Sequence, residues 1–325
     1  MMWVHQWNYR ISFLCNMNTV ASVACDNTVR IWDVNSGEVL SITEVPNANL
    51  NSFPRICCSG DGCRLAAFIG SIVYIWNINH DSTLELINTV ETGHDSLYVS
   101  YLNYHGSIVS YHSGKGELSH FDVLSGALKS NRTANTSYNE FAVDISCNGA
   151  SMAYGGLVKT VRICIVDTCE EVCVLRGHTG LITSLRFNHD ASRIASGSDD
   201  HTIRIWNVSR CSQLMLLLGH SSYITSLCYS SDGLRLISSS NDKSVRVWDV
   251  KSDTGICLFV LIGHISHVFS ASFSQDGSQI ISCGKNKSVI VWDSLSGGEI
   301  ARMEGHTGDV HSVCFIPAIF GYLLK

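Results

Sequence analysis

The chain has 325 residues, a net charge of −6, 15% charged residues and 45% hydrophobic ones. That balance suits a protein built around buried sheet and excludes a disordered chain. There is no Lys/Arg run to meet phosphates and no apolar run long enough to cross a bilayer, so neither a nucleic-acid nor a membrane partner is expected.

The N-terminus, MMWVHQWNYR, lacks an apolar leader, so the expected location is the cytoplasm, with the nucleus as second choice. The 14 cysteines form no CxxC pair and are expected to be reduced, mostly buried thiols. The tightest cluster, Cys164, Cys169 and Cys173, lacks the paired spacing of a zinc site, so no metal and no cofactor is expected. Four Asn-x-Ser/Thr sequons, at Asn131, Asn135, Asn207 and Asn286, read as chance in a chain without a leader.

Taken in order, the chain is a repeat. The first unit ends on Val29-Arg30-Ile31-Trp32-Asp33. The second keeps a Ser59-Gly60-Asp61-Gly62 turn and ends on Trp76-Asn77. The third carries Gly93-His94 and ends on Phe121-Asp122. The fourth has neither Gly-His nor Trp; its place rests on the period, a turn at 146–149 and Val161-Arg162-Ile163. Units five to seven are regular and end on Trp206-Asn207, Trp248-Asp249 and Trp292-Asp293. The closing positions 32, 76, 121, 164, 206, 248 and 292 are 42 to 45 residues apart.

Unit five shows the strand pattern most clearly. Residues 181–187, 193–198 and 202–208 are rich in β-branched and apolar residues, separated by Asn188-His189-Asp190 and Asp199-Asp200-His201 turns. Outer strands are expected at 172–175 and 213–218. After residue 304, Gly305-His306 and 309–315 read as the first strand of an eighth repeat, followed by an apolar tail. The expected organisation is therefore one domain over 1–304, with units ending near 33, 77, 122, 165, 207, 249 and 293, and a partial extra repeat with its tail over 305–325. Such an end suits either a piece of a longer array or a seven-unit ring whose tail docks on an edge.

Gly-His occurs five times, and His178, His220 and His264 each precede a Trp (Trp206, Trp248, Trp292) by 28 residues. A period of this length, with Gly-His near its start and Trp-Asp near its end, resembles the WD40 repeat over nearly the whole chain. The resemblance implies an all-β fold: a seven-bladed β-propeller of four-stranded antiparallel blades, lettered a to d from the centre outward. It also implies a buried hydrogen-bond network in each regular blade. The sets are His178, Ser196, Asp200 and Trp206; His220, Ser238, Asp242 and Trp248; and His264, Ser282, Asn286 and Trp292, where Asn lacks the carboxylate charge. Blade one offers Ser22, Asp26 and Trp32, with His5 one residue out of register.

Ser, His and Asp together invite a hydrolase reading, but a catalytic triad is needed once and these sets recur at repeat spacing. They are read as structural. Leu295-Ser296-Gly297-Gly298-Glu299 looks like a transporter signature but falls in a c–d turn, and Lys115 between two glycines falls in a b–c turn; no GxxxxGK[ST] is present. Arg30, Arg162, Arg204 and Arg246 share one place in strand c and are expected to lay their stems between blades.

The resemblance further implies that the d–a and b–c loops open on one rim, the usual partner-binding face. The d–a candidates are Leu181, Ser222, Tyr223, Ile265 and His267; the b–c candidates are Asp199, Asn241 and Lys285. Tyr223 stands out, because an aromatic on a rigid rim suits a hot spot. The expected function is a non-enzymatic scaffold that binds other proteins or peptides within a multiprotein complex. One alternative is a substrate receptor of a cullin-type ubiquitin ligase, weakened because Trp248-Asp249-Val250-Lys251 carries Lys where that motif has Arg. Another is the sensor segment of a larger signalling NTPase. A propeller enzyme would need a unique acid–base cluster at the channel mouth, and the sequence shows none.

Overall fold

The computed structural model describes residues 19–45, 54–59, 61–79, 81–93, 97–102, 107–113, 117–133, 140–166, 168, 170–252 and 254–316. His5, His94, Lys115, Cys169 and the tail beyond Ile316 lie outside them. Among the described residues there are seven four-stranded sheets and no helix. Blade five is typical. Its strands Ile182–Phe187, Arg193–Ser198, Ile203–Asn207 and Ser212–Leu217 lie side by side in chain order, each antiparallel to the next. Strands b and c are buried because neighbouring blades cover both their faces. Strand d alternates, since it lies at the periphery.

Blade one breaks the chain order. Its inner strand is Val310–Ile316, paired with Thr19–Ala24, which continues to Thr28–Asp33 and Val39–Glu44. The strand expected to open an eighth repeat is therefore strand a of blade one, and the expected boundary at 304/305 does not separate two units. The physical reason is the open edge of Thr19–Ala24, whose N–H and C=O groups need a partner. The last strand supplies it and also packs beside strand a of blade seven, Val268–Phe273, and of blade two, Arg55–Cys58. That contact closes the ring.

The closing strand brings the missing histidine. His306 Nδ1 lies 2.9 Å from Asp26 Oδ2 and its Nε2 2.7 Å from Ser22 Oγ, while Trp32 Nε1–H donates to the same Ser22 oxygen at 2.8 Å. Blade five repeats this with His178–Asp200 and His178–Ser196 at 2.8 Å and Trp206–Ser196 at 2.8 Å. Blade six has His220–Asp242 and His220–Ser238 at 2.7 Å and Trp248–Ser238 at 2.8 Å. In blade seven His264 meets Asn286 Oδ1 at 2.7 Å, and Ser282 links His264 and Trp292.

One proton arrangement satisfies every member: the indole N–H donates to serine, the serine O–H to Nε2, and Nδ1–H to the carboxylate or amide oxygen. The histidines must then be neutral, and burial does hold His178, His220, His264 and His306 below the usual 6.5. Burial works against ionisation of Asp26, Asp200 and Asp242. Hydrogen bonds from Thr or Ser hydroxyls, from histidine and from backbone N–H groups outweigh it and keep all three below the usual carboxylate value.

Gly-His is explained by what lies over the glycine. A Cβ on Gly219 would meet the Arg246 guanidinium at 2.6 Å and the Trp248 ring at 3.4 Å; Gly305 faces Arg30 and Trp32 in the same way. The repeated strand-c arginine thus lies along the Gly-His turn and the Trp of its own blade, with Arg30 5.8 Å from the Trp32 ring centre.

In blades one, three, six and seven the c–d turn backs on strand d of the preceding blade. Gly37, Gly126, Gly255 and Gly297 take φ between 61° and 73° there. They touch Arg302, Asn88, Leu217 and Leu261 respectively. Blade five has Cys211 at this place, at φ 50°, where a side chain is disfavoured. Its sulfur is bonded to Cys173 of blade four, with Cα atoms 5.8 Å apart. This pair departs from the expectation of reduced thiols, because the seam brings the two residues together from 38 positions apart.

Three outcomes follow. Asp242→Ala strands the buried His220 donor and lowers stability by about 1–3 kcal/mol, whereas Asp242→Asn, which copies blade seven, loses less; thermal melts rank the two. Stability is also expected to fall on acidification. The unfolded histidines bind protons near 6.5 and the folded ones only lower, so their contribution is full above 6.5 and drains below it. The aspartates add a second loss below 3.8. A melting temperature flat from pH 7 to pH 5 contradicts the neutral-histidine arrangement. Lastly, Cys211→Gly relieves a left-handed backbone costing about 1 kcal/mol but removes a crosslink worth about 3–4 kcal/mol. It should stabilise the protein in reductant and destabilise it without, and the same sign under both conditions would refute the assignment.

Candidate functional site

The histidine networks determine what the rim can be. His178 and Thr179 belong to the d–a loop of blade five and Asp200 to its b–c loop, and Thr179 N–H also donates to Asp200 at 2.9 Å. The network therefore clamps together the two loops that carry the rim residues. Backbone bonds complete the clamp: Asp199 N–H to Leu181 O at 2.9 Å, Asn241 N–H to Tyr223 O at 3.1 Å, and Lys285 N–H to His267 O at 2.9 Å.

Inside the rim, strands a line the channel, and in blades one and five to seven each carries a β-bulge near its start. The bulged residues are Thr183, Thr225, Phe269 and His311, where the register slips between their flanking positions. A bulge re-aims a side chain that a regular strand would turn away, and these four face the channel with Pro54 of blade two. Thr183 Oγ1–H donates to Ile224 O and Thr225 Oγ1–H to Val268 O, both at 2.6 Å, which ties blade five to six and six to seven. Phe269 and His311 stack across the closing seam, ring centres 4.6 Å apart at 5°.

The result is a cavity of 380 Å³ at the channel mouth. Three rim residues chosen from sequence line it: Asp199, Tyr223 and Asn241. Leu181, Ser222, Ile265, His267 and Lys285 do not. Leu181 and His267 are half-buried and serve through their carbonyls, Ser222 O accepts from Ser240, and Ile265 and Lys285 point to solvent. Tyr223 is 48% exposed, and its ring rests 6.0 Å from that of His201 on blade five, so it spans the seam between blades five and six.

Deeper in the channel, Arg186 Nη1–H donates to Asp144 of blade four at 3.1 Å, and Phe187 N–H donates to the other carboxylate oxygen at 2.7 Å. The Asp144 carboxylate strengthens the guanidinium's hold on its proton. Burial pushes the Asp144 carboxyl above the usual carboxylate value, and Arg186 and the backbone N–H groups of Phe187 and Ile145 offset only part of that rise. Sequence reasoning passed over this pair and the bulge residues. The signal was available: counting five residues on from each Gly-His histidine, or five back from the Ser59 turn in blade two, places Pro54, Thr183, Thr225, Phe269 and His311 in one column. Among the described residues no group of three His, Cys, Asp or Glu side chains is arranged to hold a metal, and no helix is long and apolar enough to cross a membrane.

Comparison with known proteins agrees with this geometry. The family model described as WD domain, G-beta repeat matches residues 8–33, 169–207, 211–249 and 255–293. These take in strands b and c of blade one and strands a to c of blades five to seven, the blades that keep the Trp and its network. Protein hir1 of Schizosaccharomyces pombe is 34% identical across 18% of this chain. That stretch is 8% of the yeast protein, so the likeness concerns a small part of its length. Proteins of this kind are in general non-enzymatic interaction scaffolds. The repeat matches and the ring of seven four-stranded blades make this chain a WD40-repeat protein.

Proposed function

We propose that the protein is a non-enzymatic scaffold that binds a protein or peptide partner at the channel mouth, on the rim of blades five and six. The observation that supports this best is the position of Tyr223. It is a large, half-exposed aromatic on loops that backbone bonds and buried networks hold rigid, beside a cavity lined by Asp199 and Asn241. A rigid aromatic loses little entropy when a partner covers it, which is why such residues dominate binding energy. The serine, histidine and aspartate sets support the non-enzymatic reading too, because each member is spent on a buried partner within its blade.

The test is site-specific photo-crosslinking in cells of the source organism, with a photoreactive phenylalanine at 223 or at 295. Leu295 is 75% exposed in a c–d turn, on the face opposite the rim. Discrete crosslinked species from 223, absent from 295, are expected. The reverse pattern would place the interaction on the other face and refute the reading. With a partner in hand, Tyr223→Ala should weaken its binding by about 2 kcal/mol with little change in melting temperature.

A further inference from the structure

The mouth of the channel is uneven in its hydrogen-bonding capacity. At the rim of blades five and six, above the Arg186–Asp144 pair, the groups whose roles are settled are acceptors. Among the described residues, no ion pair or hydrogen bond engages the Asp199 side chain; its nearest ionisable neighbours are His201 and Asp200, and Asp200 is committed to His178. Asn241 Oδ1 is buried without a donor. The hydroxyl proton of Thr183 is spent on the carbonyls of Ile224 and Gly197 and that of Thr225 on Val268, with Ser239 Oγ also on the Thr225 oxygen, so neither hydroxyl has a proton to offer the cavity. The positive groups of the lining are engaged or on another blade: Arg186 of blade five is held by Asp144 deeper in the channel, and Arg55 stands on blade two.

A buried acceptor without a donor is costly, and a carboxylate drawn out of water without a cation more so. Both deficits lie at equivalent places on adjacent blades, the first residue of the b–c turn, with the Tyr223 ring beside them. A single group that repairs both must carry several N–H donors and a positive charge, and an aromatic face favours it further.

We propose that the cleft between blades five and six receives a cationic group of a partner peptide, with Asp199 and Asn241 as its acceptors and Tyr223 packed along it. This rests on the reading of the rim as the interaction face and adds the chemistry of what enters. A Lys or Arg side chain and a free peptide amino terminus share that chemistry.

Selection from a phage-displayed library of random hexapeptides separates these readings. On the wild-type protein, enrichment of Lys or Arg at one position, or of peptides that require a free amino terminus, is expected. The Asp199→Asn/Asn241→Ala variant should lose that enrichment while keeping its melting temperature, since neither side chain belongs to a buried network. Synthetic versions of the selected peptides then assign the source: replacing the basic residue by norleucine, or acetylating the terminus, should weaken binding at least about tenfold on the wild type and far less on the double variant. Enrichment of acidic or wholly apolar peptides that still require Tyr223 would overturn the cationic proposal and leave the rim reading standing. Selected peptides indifferent to Tyr223, Asp199 and Asn241, or no enrichment on the folded protein, would overturn both.

Discussion

The contact on which the rest of the molecule depends is the one between histidine Nδ1–H and the carboxylate of the b–c loop. It spans two loops that are 22 residues apart in blades five and six and 280 apart in blade one. It sits at the top of a relay that passes through the serine of strand b and ends on the buried Trp of strand c, so one arrangement joins the second and third strands to the rim. Removing any member leaves a buried donor or acceptor unpaired, and a satisfied network of this kind holds its loops in one geometry. The rim can therefore vary in side chain while its backbone stays in place.

Ring closure is the same contact used at long range. Val310–Ile316 supplies blade one with its inner strand, and His306 supplies the network with its imidazole. A propeller with an open blade would expose the edge of Thr19–Ala24 and leave Ser22 and Asp26 without their histidine. Closing the blade with the far end of the chain repairs edge and network in one step, and couples the two ends of the sequence. The neighbouring seams are held by other means: threonine hydroxyls reaching the next blade's carbonyls, an aromatic–imidazole stack, and a crosslink where four other blades use glycine.

The functional reading follows from what is left over once these structural needs are met. The Ser, His and Asp sets are consumed internally. What remains at the channel mouth is an exposed tyrosine, a carboxylate and an amide oxygen, carried by loops that do not need them for folding. Residues that cost stability or contribute nothing to it, yet sit on rigid loops around a cavity, are where a propeller offers specificity.

Much of this was legible in the amino-acid order. Period, Gly-His and Trp-Asp spacing determined the blade count, the strand pattern of blades five to seven and the membership of three networks, because each of those features is local to one repeat. Tyr223, Asp199 and Asn241 could be placed on the rim for the same reason. The sequence could not show that the last strand belongs to the first blade, since pairing between strands this far apart in the chain follows from geometry and leaves no local mark. Nor could it supply His306 for His5, bring Cys211 to Cys173, or reveal that bulges turn Thr183, Thr225, Phe269 and His311 into the channel. Those outcomes depend on which edges and seams meet when seven sheets close into a ring, and only the tertiary structure decides that.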